Sequence, residues 1–307
     1  VAQAVDFNWV PVITPPDPTE HYSGNWTSLG HWNGGAGFPN GPTNNANVVH
    51  SNVGPFTVTL DADIHIGNLN WNSPDATLDA TSRVLRVDGA ADLLSGTMNL
   101  IHGQLLDSGA GTLTLESAMN VSGTSTIDVS NFDQDGDLVV AAPSSANTLL
   151  LVAHGFTNRD FINLHVPSTG SVNFVQQDGP LVNGATNALA AELRFDGPGS
   201  GRRRYHGSLD NRGIVNVLSD AEFNMPAATI SNDRTFTVGA GATLLMQVGG
   251  QTFNQNGGSL TIDGVFDPSS MTFNFNDGDV FGNAMTLTAS TLNIGPNANN
   301  GSFILRG

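Results

Sequence analysis

The chain has 307 residues, with ten cations, all arginine, against 27 acidic residues; its formal charge is −17, and it has neither lysine nor cysteine. That charge argues against a nucleic-acid partner, and the missing thiols and amines exclude disulfide frameworks, thiolate zinc sites, cysteine nucleophiles and lysine Schiff bases. Charged residues reach only 12% and hydrophobic ones 39%, so a narrow core between turns made from 36 glycines and many asparagines is expected, while no apolar run approaches the ~18 residues of a membrane span.

In chain order, Val1-Ala2-Gln3-Ala4 ends in the small-x-small pattern of a processed signal peptide, which predicts export. Trp9, Trp26, Trp32 and Trp71 follow. Aromatic faces stack on sugar rings, yet their crowding near the start suits a cover over the first turn of a repeat array. Residues 1–43 are therefore expected to be an N-terminal cap or docking segment. A first repeating segment spans 44–175, where Val84–Val87, Met98–Leu100, Leu113–Leu115 and Ile127–Val129 alternate apolar and polar residues at roughly 14-residue steps.

Within it, Asn131-Phe-Asp133-Gln-Asp135-Gly136-Asp137 reproduces the first half of a calcium loop, with oxygen donors at alternating positions and glycine sixth. The twelfth position is Ala142 rather than a bidentate Glu. Asp133, Asp135 and Asp137 are the first candidate Ca2+ ligands, and Asp277 and Asp279 a weaker second set. The plain alternative is an acidic turn, and no other cofactor is required. The eight histidines show no metal-binding spacing, and no nucleophile elbow, phosphate loop or dinucleotide fingerprint occurs.

Residues 176–208 are expected to be an insertion or linker. Thr186–Arg194 has the composition of one or two helical turns, and Asp196-Gly-Pro-Gly-Ser-Gly201 precedes Arg202, Arg203 and Arg204. Those three cations suit an acidic polysaccharide or an acidic patch on another copy, or simply an exposed loop. The second segment, 209–307, repeats one motif: Asn, three residues, then apolar-x-apolar. It begins at Asn211, Asn232, Asn256 and Asn299, with a degraded copy at Asn276 that ends in Gly282, in steps of 21, 24, 20 and 23 residues.

Strand alternation at such a period, with Asn and Gly at the turns, predicts an all-β parallel β-helix, wound right-handed, in which stacked coils share one core. The five asparagines are expected to stack as a turn column whose amides bond to each other. An antiparallel sandwich with Asn-Gly hairpins is the competing fold. The stretch Gly24-Asn-Trp26, His31-Trp-Asn-Gly-Gly35, Pro39-Asn-Gly and Asn44-Asn-Ala-Asn-Val48, followed by Val58-Thr-Leu60, resembles exported bacterial β-helix surface proteins of the autotransporter-associated and PEP-CTERM kinds. His31 and Asn45 depart from the usual pattern. The resemblance implies a secreted or cell-surface location.

The expected function is structural, in a surface layer, filament, sheath or adhesive matrix. Little follows Asn299–Leu305, which suggests homo-oligomers or filaments joined end to end, or else a longer chain whose further repeats and cap lie beyond Gly307. A polysaccharide partner is compatible. The alternative is an enzyme: a glycoside hydrolase, which needs a pair of carboxylates across a groove, or a polysaccharide lyase, which needs calcium carboxylates and a basic Arg, with Asp133, Asp135 and Arg202 to Arg204 as nominal candidates. A binding face of threonine rows is a third reading, drawn from Thr112/Thr114 and Thr286/Thr288.

Overall fold

A computed structural model describes residues 3–13, 20–33, 37–51 and 53–296. The described residues hold no α-helix, only one 3-10 turn at Leu29–His31 and a long series of short strands. Nearly every strand pairs in parallel with the strand about one coil away, which is the ladder of a parallel β-solenoid and not of a hairpin sandwich. The exceptions lie near the start, where Val5–Trp9 meets Trp32–Asn33 and Val12–Ile13 meets Glu20–His21 antiparallel. Asn299 and the motif through Leu305, with the chain beyond, lie outside the described residues, as do Val1 and Ala2.

Contacts divide the chain into two compact units, Val1–Leu138 and Val139–Gly307. In the first, Leu69, Ala91, Leu113 and Phe132 are successive partners on one face, and Leu85, Leu105 and Ile127 on another. The 14-residue step read from sequence therefore moves between faces; a full coil takes about twenty residues. Two long strands, Ile64–Asp79 and Ala90–Ile101, run around corners and contribute to more than one face. All four tryptophans are buried. Trp9 stacks on His31 with centroids 4.5 Å apart, Trp32 packs edge-on against Trp9, and Trp26 Nε1 donates to the Pro39 carbonyl. Burial leaves no exposed aromatic platform for a sugar at Trp26, Trp32 or Trp71.

In the second unit each coil gives three strands. One face stacks Thr148–Val152, Val172–Gln176, Arg203–His206, Ala221–Phe223, Thr243–Met246 and Val265–Pro268. A second stacks Phe156–Asn158, Leu181–Asn183, Leu209–Asn211, Thr229–Asn232, Thr252–Gln255, Thr272–Phe275 and Thr291–Ile294. The third runs from Phe161–His165 to Asp279–Gly282. Alternate residues of each strand point inward, and Phe174, Tyr205, Phe223, Phe236 and Phe253 form a chain of interior rings at 5.5–6.1 Å wherever neighbours meet.

The expected insertion at 176–208 is instead part of this stack. It carries Leu181–Asn183, Glu192–Asp196 and Arg203–His206 in register with the coils on either side. Glu192–Asp196 is a strand where helical turns were expected, because Leu193 and Phe195 reach the core only by alternation. The longer connections, 184–191 and 197–202, account for its irregular look in sequence.

Candidate functional site

The second face of the second unit organises the polar residues into two parallel columns, one buried and one outward. Asn158, Asn183, Asn211, Asn232 and Gln255 form the buried column, all without solvent exposure. Each amide donates to the next coil: Asn158 Nδ2 to Asn183 Oδ1 at 2.6 Å, then 2.8, 2.7 and 2.8 Å along to Gln255 Oε1. The second hydrogen of each Nδ2 goes to a main-chain carbonyl, of Glu192, Ile214, Thr235 and Ser259 in turn. Both amide hydrogens are used, as burial requires.

The residue after each member begins the outward column. Arg212, Asp233, Asn256 and Asn276 donate their main-chain N–H to Asn183, Asn211, Asn232 and Gln255 respectively. Asn256 and Asn276 thus belong to this outward column, not to the one containing Asn211 and Asn232. Asn276 Nδ2 donates to Asn256 Oδ1 at 2.8 Å. The motif was anchored on Val215, Phe236 and Leu260, which are true partners, but the turn before Leu260 holds one more residue than the turns before the other two. Gly258, at φ +58°, absorbs it where a Cβ would fall 1.9 Å from the Arg234 carbonyl. Asn158 and Asn183 escaped the motif search. Asn158 keeps the spacing to Ile162 and Leu164, with Asp160 in the glycine position, and that spacing alone was a findable signal; Asn183 is followed by an eight-residue connection and left none.

Beside these columns lies an open groove of about 590 Å³. Asp210 projects into it because its neighbours Leu209 and Asn211 point inward. Arg212 Nη2 meets Asp210 Oδ2 at 2.6 Å, and Asp233 lies one coil further on at the turn position equivalent to Arg212. Loss of solvation against the groove wall and then the like charge of Asp210 raise the Asp233 carboxyl above its ordinary value; Arg212 and a hydrogen bond from Asn256 pull the other way without reversing it. The groove therefore presents an ion-paired carboxylate, a guanidinium, a second carboxyl whose pKa is raised, and an amide. Sequence reading found no carboxylate pair because Asp210 and Asp233 are 23 residues apart and become neighbours only through the coil register.

The other expected sites are placed as follows. Asp133 lies on Asn131–Gln134, beside Thr114 of the previous coil; Asp135 and Gly136 make the corner, and Asp137 opens the next strand, Asp137–Ala141. A corner at Asp135 and Gly136 separates Asp133 from Asp137. Asp277 Oδ1 accepts from the Gly278 N–H, and Asp279 sits in strand Asp279–Gly282 beside Ser259. No group of three or more His, Cys, Asp or Glu among the described residues is arranged to hold a metal ion.

The three arginines separate in role. Arg203 is 1% exposed, and its guanidinium donates to the carbonyls of Asp196, Gly201, Val166, Gly197 and Gly199. Burial lowers its pKa, against the pull of Asp196 and Asp220. Arg204 Nε pairs with Glu222 Oε2 at 2.8 Å across adjacent coils. Arg202, half-buried, gives its main-chain N–H to Ser171 Oγ. Arg203 is thus a staple for the glycine-rich loop, because alternation turns it inward between two outward neighbours. No protein-family model, curated protein or solved structure matches this chain.

Proposed function

We propose that this chain is an extracellular structural protein of bacterial type, a stiff solenoid serving in a surface layer, filament, sheath or adhesive matrix and associating with further copies of itself. The observation that supports this reading best is the buried amide column from Asn158 to Gln255. It adds one side-chain bond per coil to three main-chain ladders, and a one-residue slip would drive those amides outward. Such coupling resists shear between coils, which suits a load-bearing element. An acidic, lysine-free surface fits an exported protein.

The test is negative-stain imaging of the purified chain across a concentration series, paired with assays for reducing ends and unsaturated uronates on neutral and acidic polysaccharides. Ordered filaments or sheets without cleavage are expected. Dispersed monomers that cleave a polysaccharide would overturn the structural reading in favour of a lyase or glycoside hydrolase.

A further inference from the structure

Five Asn-Gly pairs occur in the sequence, and three of them, Asn40-Gly41, Asn183-Gly184 and Asn256-Gly257, lie wholly within the described residues. Such a pair carries its own reaction. The main-chain nitrogen of the glycine, once it has given its proton to solvent base, attacks the side-chain carboxamide carbon of the asparagine. A bond from that nitrogen to Cγ forms, the Cγ–Nδ2 bond breaks, and Nδ2 leaves as ammonia with a proton from water. A five-membered imide remains. Glycine favours the step because it has no Cβ to obstruct the approach and its main chain turns freely. Water then opens the imide. Breaking the new bond to Cγ gives aspartate; breaking the bond to the main-chain carbonyl carbon gives isoaspartate, in which the chain runs through Cβ. The fold decides which pair is free to react.

Asn183 is locked. It has no solvent exposure, its Nδ2 donates to Asn211 Oδ1 and to the Ile214 carbonyl, both at 2.8 Å, and the Gly184 N–H donates to the Asn158 carbonyl at 2.8 Å. Reaction there requires the buried column to open. Asn256 is held less tightly. It is half-buried, its Oδ1 accepts from Asn276 Nδ2 at 2.8 Å, its side chain also bonds to Asp233, and the Gly257 N–H reaches the Asn232 carbonyl at 3.3 Å.

Asn40 differs from both. Its side chain is exposed, and Nδ2, the leaving nitrogen, has no partner among the described residues. Its Oδ1 accepts the His65 main-chain N–H at 3.0 Å. That donor polarises the carboxamide and stabilises the negative charge that gathers on the oxygen as the glycine nitrogen attacks. Gly41 is the first residue of strand Gly41–Val49 and pairs with Ile66, but Pro42 after it has no N–H and the register breaks before Asn45. Freeing the Gly41 nitrogen therefore needs only the head of one strand to fray, the low-cost end of local opening.

We infer that Asn40 is a self-modification site, converting spontaneously to aspartate and isoaspartate in the folded protein well ahead of Asn256 and Asn183. This inference does not depend on the structural reading. The isoaspartate form adds one atom to the main chain between Pro39 and Gly41. The Pro39 carbonyl is held by Trp26 Nε1 at 3.0 Å and Gly41 by its pairing with Ile66, so the extra atom disturbs one of these two anchors. Trp26, fully buried, reports the change.

The experiment holds the folded chain in warm, mildly alkaline buffer over weeks. Samples are digested for tandem mass spectrometry, with isoaspartate methyltransferase labelling to count isoaspartate. A parallel sample in urea gives the rates with the fold removed. In the folded chain Asn40 is expected to convert about tenfold or more faster than Asn256 and about a hundredfold or more faster than Asn183, while in urea the three rates draw within about threefold of one another. Tryptophan emission should drift as isoaspartate accumulates, and the drift should vanish in Asn40→Gln, whose longer side chain closes the imide far more slowly. Conversion of Asn183 or Asn256 as fast as Asn40, no conversion at Asn40 while the urea sample converts, or the same ranking retained in urea would overturn the inference. A drift that persists in Asn40→Gln would overturn the link to Trp26.

Discussion

Replacing Asn211 by Ala removes the middle link of the buried column. Its Nδ2 donates to Asn232 Oδ1 at 2.7 Å and to the Thr235 carbonyl at 2.9 Å, and its Oδ1 accepts from Asn183 Nδ2 at 2.8 Å and from the Gly213 N–H at 3.3 Å. Four bonds at a net ~1 kcal/mol each give a loss of ~4 kcal/mol, and the orphaned partners are buried, so little is regained from water. Asn256→Ala serves as the control: Asn256 is half-buried in the outward column, and its loss should cost under ~1 kcal/mol. The assay is urea unfolding followed by far-UV circular dichroism, since every tryptophan lies in the first unit and would report the wrong coils.

Asn211→Asp sharpens the test. It keeps the shape but points an acceptor at Asn232 Oδ1 and the Thr235 carbonyl, so at pH 7 it should be at least as damaging as alanine. Burial raises such a carboxyl's pKa in the folded state. The deficit should therefore shrink as pH falls through that raised value, where the protonated acid regains a donor. If Asn211→Ala costs no more than Asn256→Ala, or Asn211→Asp is tolerated at pH 7, the column contributes no stability and the reasoning fails.

Arg203→Met should lower stability by about 2–4 kcal/mol in the same assay, because five carbonyls lose their donor; Arg203→Lys should restore only part, having three donors and no planar fork. Gly201→Ala should cost ~2 kcal/mol or more, since its Cβ would lie 1.7 Å from the Gly170 carbonyl, whereas Gly249→Ala, with open space around it, should be near neutral in a thermal melt. Asp107 accepts main-chain N–H bonds from Gly109, Gly111 and Ser130 at 2.7 Å; burial acts to raise its pKa, but these bonds outweigh it and hold the carboxyl below its ordinary value near 3.8. Its stabilising contribution is present above that value and is lost as pH falls through the depressed one, so the melting-temperature gap between parent and Asp107→Asn should close toward low pH.

Alternation of apolar and polar residues and a period of about twenty residues are local properties, and they were enough to give an all-β parallel solenoid from sequence. Val215, Phe236 and Leu260 were aligned correctly because inward strand positions strongly favour apolar side chains. The polar columns were another matter. Asn256 and Asn232 share a motif but not a column, because one extra residue in a turn, accommodated by Gly258, moves an asparagine from inside to outside without disturbing the strands around it. Gln255 took the buried place, and no motif search for asparagine would have found it. The groove had the same origin: Asp210, Asp233 and Gln176 lie on three different coils, and the threonine row from Thr229 to Thr291 is a row only after the coils are stacked. Strand identity depends on neighbours two residues apart, so the sequence by itself determined it. Which side chains face each other depends on the cumulative length of every intervening turn, and only the tertiary structure decided that.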